Sequence, residues 1–301
     1  MGIMADPKKA VPENVSGNFF VDRTCINCDT CRQLARSTFK DQGDHSFVFS
    51  QPQNSDEQRA ATRALICCPT GSIGTHDANS AREVVEDLPL AIEEEVYYCG
   101  FNSPKSYGGN SFFVQHRDGN WLIDSPKYLP HLVDRFTEMG GVRYIFLTHR
   151  DDVGDAHRYA EKFEAQRIIH RAELDAEPNS EVVIDGFEDF EFSPEFRIVA
   201  ASGHTRGHIV LIYRNKFLFS GDHMSYDPEI DSLMSSRTHC WYSWAEQTRS
   251  IAKLADYEFQ WVLAAHGDRI KRMPFEMKQM VKDLAERMEL PEEEWNVVSP
   301  G

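Results

Sequence analysis

Residues 144–157 read Tyr144-Ile-Phe-Leu-Thr148-His149-Arg150-Asp151-Asp152-Val-Gly-Asp155-Ala-His157. The aromatic and branched opening predicts a short strand, Tyr144 to Thr148, and the amphipathic spacing that follows predicts a helix, Ala156 to Phe163. Between them a histidine and three carboxylates crowd one turn, where they can converge on a metal ion. Three later strand ends carry the same residue types. His204 and His208 lie in Ser-Gly-His204-Thr-Arg-Gly-His208 before an apolar strand, Asp222 and His223 close Phe-Leu-Phe-Ser-Gly-Asp222-His223, and His266 follows Val-Leu-Ala-Ala. One loop histidine means little by itself. Four strand ends that each offer His or Asp, three of them beside glycine, mark a common metal site.

Working outward, strands alternate with helices over residues 95–301. Strands are expected at Ser111 to Gln115, Asn120 to Asp124, Arg167 to His170, Arg197 to Ala200, Ile209 to Arg214, Phe217 to Ser220 and Trp261 to Ala265. Helices are expected at Pro130 to Met139, Trp244 to Leu254 and Phe275 to Met288. Ahead of this lie a polar arm at 1–18, a compact unit at 19–80 and an acidic linker at 81–94. The compact unit reads as strands at Asn18 to Val21 and Ser46 to Ser50, a helix from Cys31 to Phe39, and a second helix from a Ser55 cap. The dense aromatics of Cys240-Trp241-Tyr242-Ser-Trp244 are expected to fill a core or a seam.

The order of these histidines and aspartates resembles the metallo-β-lactamase superfamily, which includes glyoxalase II, persulfide dioxygenases and flavodiiron proteins. The resemblance spans roughly residues 95 to 275 and places Asp124, in Trp-Leu-Ile-Asp124-Ser, at the family's early strand-end aspartate. It implies an α+β architecture: two β-sheets face to face between helical layers (an αββα sandwich), preceded here by a small ferredoxin-like α+β domain. It also implies one or two metal ions at one sheet edge. The usual His-x-His-x-Asp-His departs here, because Asp151 replaces the second histidine and two extra residues precede Asp155. The implied ligands are His149, Asp151, Asp155, His204, Asp222 and His266. His157 would point about 200° from residue 155 on a regular helix, so its part and that of Asp152 stay open. His149, His204 and Asp222 alone form the two-histidine, one-carboxylate set that suits non-haem Fe(II). Additional carboxylates favour iron or manganese over zinc. His208 and His223 stand beside ligands as candidate acid–base residues; Arg150, Arg206 and Tyr226 are candidate anion contacts.

Cys25-x2-Cys28-x2-Cys31, with a remote Cys68-Pro69, has the thiolate spacing that holds a [4Fe–4S] cluster. Zinc competes, although structural zinc sites favour two separated pairs. The stretch from Phe19 to Thr75 resembles single-cluster bacterial-type ferredoxins, through Cys-Ile-Asn-Cys-Asp-Thr-Cys and Cys-Cys-Pro-Thr-Gly-Ser-Ile. In that pattern the residue before proline ligates, which selects Cys68 over Cys67.

The chain has 301 residues, a hydrophobic fraction of 41% and a formal net charge of −16. That charge opposes binding to nucleic acid or anionic membrane, and no apolar run approaches the roughly 20 residues of a membrane helix. An odd, clustered set of seven cysteines fits metal ligation in a reducing compartment, cytoplasmic or plastid stroma. The leading expectation is a redox enzyme in which the cluster exchanges electrons with a mono- or dinuclear non-haem iron site acting on a small molecule. Its redox partner protein would be basic. A metallohydrolase of thioesters, lactones or phosphodiesters, with a structural or regulatory cluster, is the alternative. A non-catalytic electron-transfer adaptor is the third.

Overall fold

The computed structural model describes residues 5–77 and 81–291. They form two compact units: residues up to Asn120 together with Ser125–Gly141, and Trp121–Asp124 together with residues from Val142 onward.

In the first unit, strands Phe19–Val21 and Ile73–Thr75 pair antiparallel, as do Phe39–Asp41 and Ser46–Val48. Phe19, Val21, Phe39, Val48 and Ile73 meet Ala61 and Ala64 of helix Ser55–Cys67 in one small core. The expected Cys31 to Phe39 helix is only Thr30–Leu34, because Phe39 enters the hairpin opposite Val48. Asn54, not Ser55, caps the next helix, its side chain accepting from the Asp56 and Glu57 amides. The arm is tied down from residue 5: Val11 is 5% exposed and the Val15 amide bonds the Val48 carbonyl. The segment expected as a linker carries helix Arg82–Val85 and strand Leu90–Glu93, which pairs with Val96–Tyr98 and so leads to Phe112–Val114.

In the second unit, strands Trp121–Ile123, Tyr144–Phe146, Gln166–His170 and Val182–Ile184 run parallel. A second sheet has the order Phe190–Ser193, Phe196–Ala200, Ile209–Tyr213, Phe217–Gly221, Trp261–Ala264, Ile270–Lys271. Ile209–Tyr213 is buried on both faces, which explains its unbroken apolar run. Val210 and Ile212 pack with Ile251, Leu254, Val281 and Leu284 of helices Trp244–Leu254 and Pro274–Met288. The opposite face carries Phe196, which stacks on Trp121 with ring centroids 4.2 Å apart. Truncating a fully buried residue of this sandwich, such as Leu218, costs about 2–5 kcal/mol. The layering matches the expected sandwich; the missed strands are short and weakly patterned.

Candidate metal centres

The parallel strands deliver Asp124, His149, Asp222 and His266 just past their carboxyl ends, the position where open α/β sheets collect ligands. One ligand atom each from His149, His204 and Asp222 lies within 4.8 Å of the others. His149 Nε2 is 3.6 Å from Asp222 Oδ2, and His204 Nε2 is 3.5 Å from the same oxygen. Asp151 Oδ2 joins them, 3.7 Å from His149 Nε2 and 3.5 Å from His204 Nε2. These separations exceed hydrogen bonds. His149 Nε2, His204 Nε2 and Asp222 Oδ1 are buried without a hydrogen-bond partner. Buried polar atoms left open and aimed together fit a metal ion that supplies the missing bonds.

The other face of the His149 ring is held by a relay. Thr148 Oγ1 donates to Asp124 Oδ1 at 3.0 Å and lies 2.9 Å from His149 Nδ1. Having spent its proton on Asp124, the hydroxyl accepts from Nδ1–H, which leaves Nε2 as a lone-pair donor. Asp124 takes the left-handed conformation, φ +54°, uncommon without glycine, and its backbone amide is fixed by the Phe146 carbonyl at 2.8 Å. Local strain of this kind concentrates at functional sites.

The local field is that of a cation site. Burial alone would lower the His149 pKa, but Asp222, Asp152 and Asp124 push it up to about 10. Burial would raise Asp222, and His266, His149 and His204 hold it below the usual carboxylate range. Burial, then the Asp222 charge, pushes Asp152 well up.

Not every expected ligand converges. His266 Nε2 is at the margin, 3.9 Å from Asp222 Oδ2. Asp155 is buried at the start of helix Ala156–Phe163, its carbonyl accepting the Arg158 amide, and it is not in the cluster of facing ligand atoms. His157 is exposed on that helix. Asp152, left open by the sequence, is 1% exposed, with Oδ2 4.0 Å from His149 Nδ1. The buried His208 ring lies between those of His149 and His223, with centroids 5.0 and 5.1 Å away and planes tilted by 31°. Burial lowers both pKa values, His223 to about 3. Enclosed in this way, His208 supports the His149 ring directly and His223 stands behind His208. Arg150 is engaged by Asp175 and the Tyr226 hydroxyl by Asp231, while Arg206 is exposed. Trp241 and Tyr242 do not fill a core: both are exposed, and their amides bond the His204 carbonyl at 2.9 and 3.1 Å.

In the first unit, Cys25, Cys28, Cys31 and Cys68 line one cavity. The Ser46 amide donates to Cys25 Sγ at 3.4 Å and the Ser72 amide to Cys68 Sγ at 3.3 Å. Such N–H···S bonds stabilise charge on cluster sulfurs. Burial pushes the Cys28 thiol up to about 12 and raises Cys25 and Cys31. A cationic metal core in contact with the sulfurs offsets that penalty, so the cavity fits a cluster. Cys67 is absent from its lining and is buried near Tyr98 and Phe101. All seven cysteines are free.

Comparison with known proteins bears on the fold of both regions. Residues 21–75 match the family model of the 4Fe-4S single cluster domain of ferredoxin I. The chain superposes on the metallo-β-lactamase FIM-1 from Pseudomonas aeruginosa, solved in its mono-zinc form, with a TM-score of 0.51 and 17% identity over 67% of this chain and 95% of that one. For the B3 metallo-β-lactamase BLEG-1 the values are 0.50 and 15%, over 65% and 100%. A Bacillus subtilis protein, the uncharacterized YmaE, is 28% identical over 126 residues, 40% of this chain and 46% of its own length. The chain thus spans about half of that relative. It is a metalloprotein that joins a 4Fe-4S domain to a metallo-β-lactamase fold. Among the described residues no helix is long and apolar enough to cross a membrane.

Proposed function

We propose that the chain is a redox enzyme in which a [4Fe–4S] cluster on Cys25, Cys28, Cys31 and Cys68 exchanges electrons with a non-haem iron centre held by His149, His204 and Asp222. The observation that carries this reading is the two-histidine, one-carboxylate set, reinforced by the nearby Asp151 oxygen. That donor balance suits iron with open positions. Bound iron would supply one-electron chemistry toward a small molecule such as oxygen, nitric oxide, a peroxide or a sulfur compound. The chain's own contribution is orientation: Thr148 fixes the His149 tautomer, and the buried His208, backed by His223, packs against that ring. Trp241, exposed at 62% and 6.3 Å from the His204 ring, offers an apolar contact beside the site. The net charge of −16 favours a partner protein with a basic surface.

One observation favours a hydrolytic reading: His266 beside Asp222 gives a start to a second metal position. A metal-bound water of lowered pKa would then attack a thioester, lactone or phosphodiester. Anaerobic purification with metal analysis and EPR separates the two. Four cluster irons with one or two more that His204→Ala removes support the redox reading. Zinc at the second site, with thioester hydrolysis, replaces it with the hydrolase, and no second metal leaves an electron-transfer adaptor.

A further inference from the structure

The cavity lined by the four cysteines is not closed by the cysteine-bearing segment alone. The turn at Gly108, between strands Val96–Tyr98 and Phe112–Val114, lies against Cys28. A Cβ added to Gly108 would sit 2.7 Å from Cys28 Cβ and 2.9 Å from its Sγ, and the residue has φ +90°. Only glycine allows so close an approach. The contact is held by a buried polar network. Asn102, fully buried, donates through Nδ2 to the Gly108 carbonyl at 2.6 Å and lies 3.0 Å from Thr30 Oγ1. The Tyr98 hydroxyl bonds Asn102 Oδ1 at 2.7 Å, and Asn110 Nδ2 donates to Gln33 Oε1 at 3.1 Å.

The same Cβ added to Gly108 would sit 3.0 Å from Pro69 Cγ, and Lys127 Nζ donates to the carbonyl of Pro69, the residue after Cys68, at 2.7 Å. Its backbone amide bonds the Phe101 carbonyl at 2.9 Å, so the lysine is anchored to the same loop that carries Gly108. Burial lowers the Lys127 pKa, and the Cys68, Cys67 and Cys28 sulfurs oppose that loss. A half-buried ammonium is therefore fixed on the residue that follows the ligand Cys68.

We propose that Lys127 sets the midpoint potential of the cluster, and that the Gly108 turn and Lys127 together form an outer wall of the cluster site supplied from beyond residues 21–75. A four-thiolate cluster is anionic and gains one further negative charge on reduction. A fixed cation in a partly desolvated place stabilises the reduced form more than the oxidised one. The inference rests on the cluster assignment made above.

The test is an EPR-monitored potentiometric titration of the full chain, reconstituted anaerobically with iron and sulfide, as wild type, Lys127→Met and Lys127→Arg. The expected result is a lower potential in Lys127→Met, on the order of a tenfold shift toward the oxidised form, which is about 59 mV for one electron. Lys127→Arg stays near wild type. An intact cluster with an unchanged potential in Lys127→Met overturns the proposal. If that variant loses its cluster, Lys127→Gln, which keeps a neutral donor, carries the same comparison, and an unchanged potential there overturns it equally. Gly108→Ala is expected to lose cluster content; full occupancy would contradict the wall. A wild-type chain with no [4Fe–4S] signal overturns the cluster assignment itself, a failure distinct from the others.

Discussion

Thr148 stands between a carboxylate and a ligand imidazole, its Oγ1 3.0 Å from Asp124 Oδ1 and 2.9 Å from His149 Nδ1. Thr148→Val keeps the shape and deletes the relay, so His149 loses the partner that fixes its tautomer. Metal affinity of the second unit should fall by about 10–100-fold, the usual cost of losing such an outer contact, while the cluster signal is unchanged. Competition with a chromophoric chelator reads this directly. Wild-type affinity would show that the relay is incidental.

Cys67 and Cys68 are adjacent but differently placed. Cys68 lines the cavity with Cys25, Cys28 and Cys31, and Cys67 does not. Cys68→Ser should abolish or convert the cluster, seen in the visible spectrum and the iron-to-protein ratio, and Cys67→Ser should leave both at wild-type values. The reverse pattern would move the fourth ligand to Cys67.

Gly221 closes its strand with φ +53°, and an added Cβ would come within 2.7 Å of both His208 Nε2 and Thr148 Oγ1. Gly221→Ala should therefore lower stability by about 1–3 kcal/mol and weaken metal binding, because it displaces the two side chains packed around His149. Denaturant unfolding with parallel metal analysis measures both effects. A fully stable variant with wild-type metal content would show that this packing is not tight.

His45 bonds Glu13 at 3.1 Å and also pairs with Asp44, joining the N-terminal arm to the hairpin. Burial alone would lower its pKa, but the Glu13 and Asp44 carboxylates raise it above 6.5. A raised folded-state value means that the tie contributes fully below pH 6.5 and is lost as pH rises through the folded pKa. The contribution of a pair this near the surface is small, under about 1 kcal/mol. Hydrogen exchange at the Val15 amide should be slower than in His45→Gln at pH 6, with the difference shrinking above the folded pKa. A difference that grows with pH would contradict the sign.

Much of this was legible in the sequence, for a physical reason. Cluster chemistry restricts cysteine spacing, so Cys25, Cys28, Cys31 and Cys68 could be read as one set. Strand ends deliver ligands, so His149, His204 and Asp222 could be read together. Direction was not legible. Alignment of carboxylates nominated Asp155, but the turn Arg150–Asp152 is a 3-10 helix that brings Asp151 toward His204 and buries Asp152. Burial of His208 and His223 depends on how strands stack, which no local pattern records. Thr148 was visible beside His149, yet its role required knowing that Asp124 lies opposite. Gly108 and Lys127 come from far along the chain, and nothing in their local sequence names the cysteines they approach.

The proposed redox function requires two redox-active centres in one chain. Counting electrons in an anaerobic reductive titration of the wild type and His204→Ala, each with four cluster irons and each first oxidised so that the second iron is ferric, tests it most directly. The wild type should accept at least two electrons per chain, one into the cluster and one into the iron at His149, His204 and Asp222, and His204→Ala only one. A wild-type chain that accepts a single electron, indistinguishable from His204→Ala, would contradict the account.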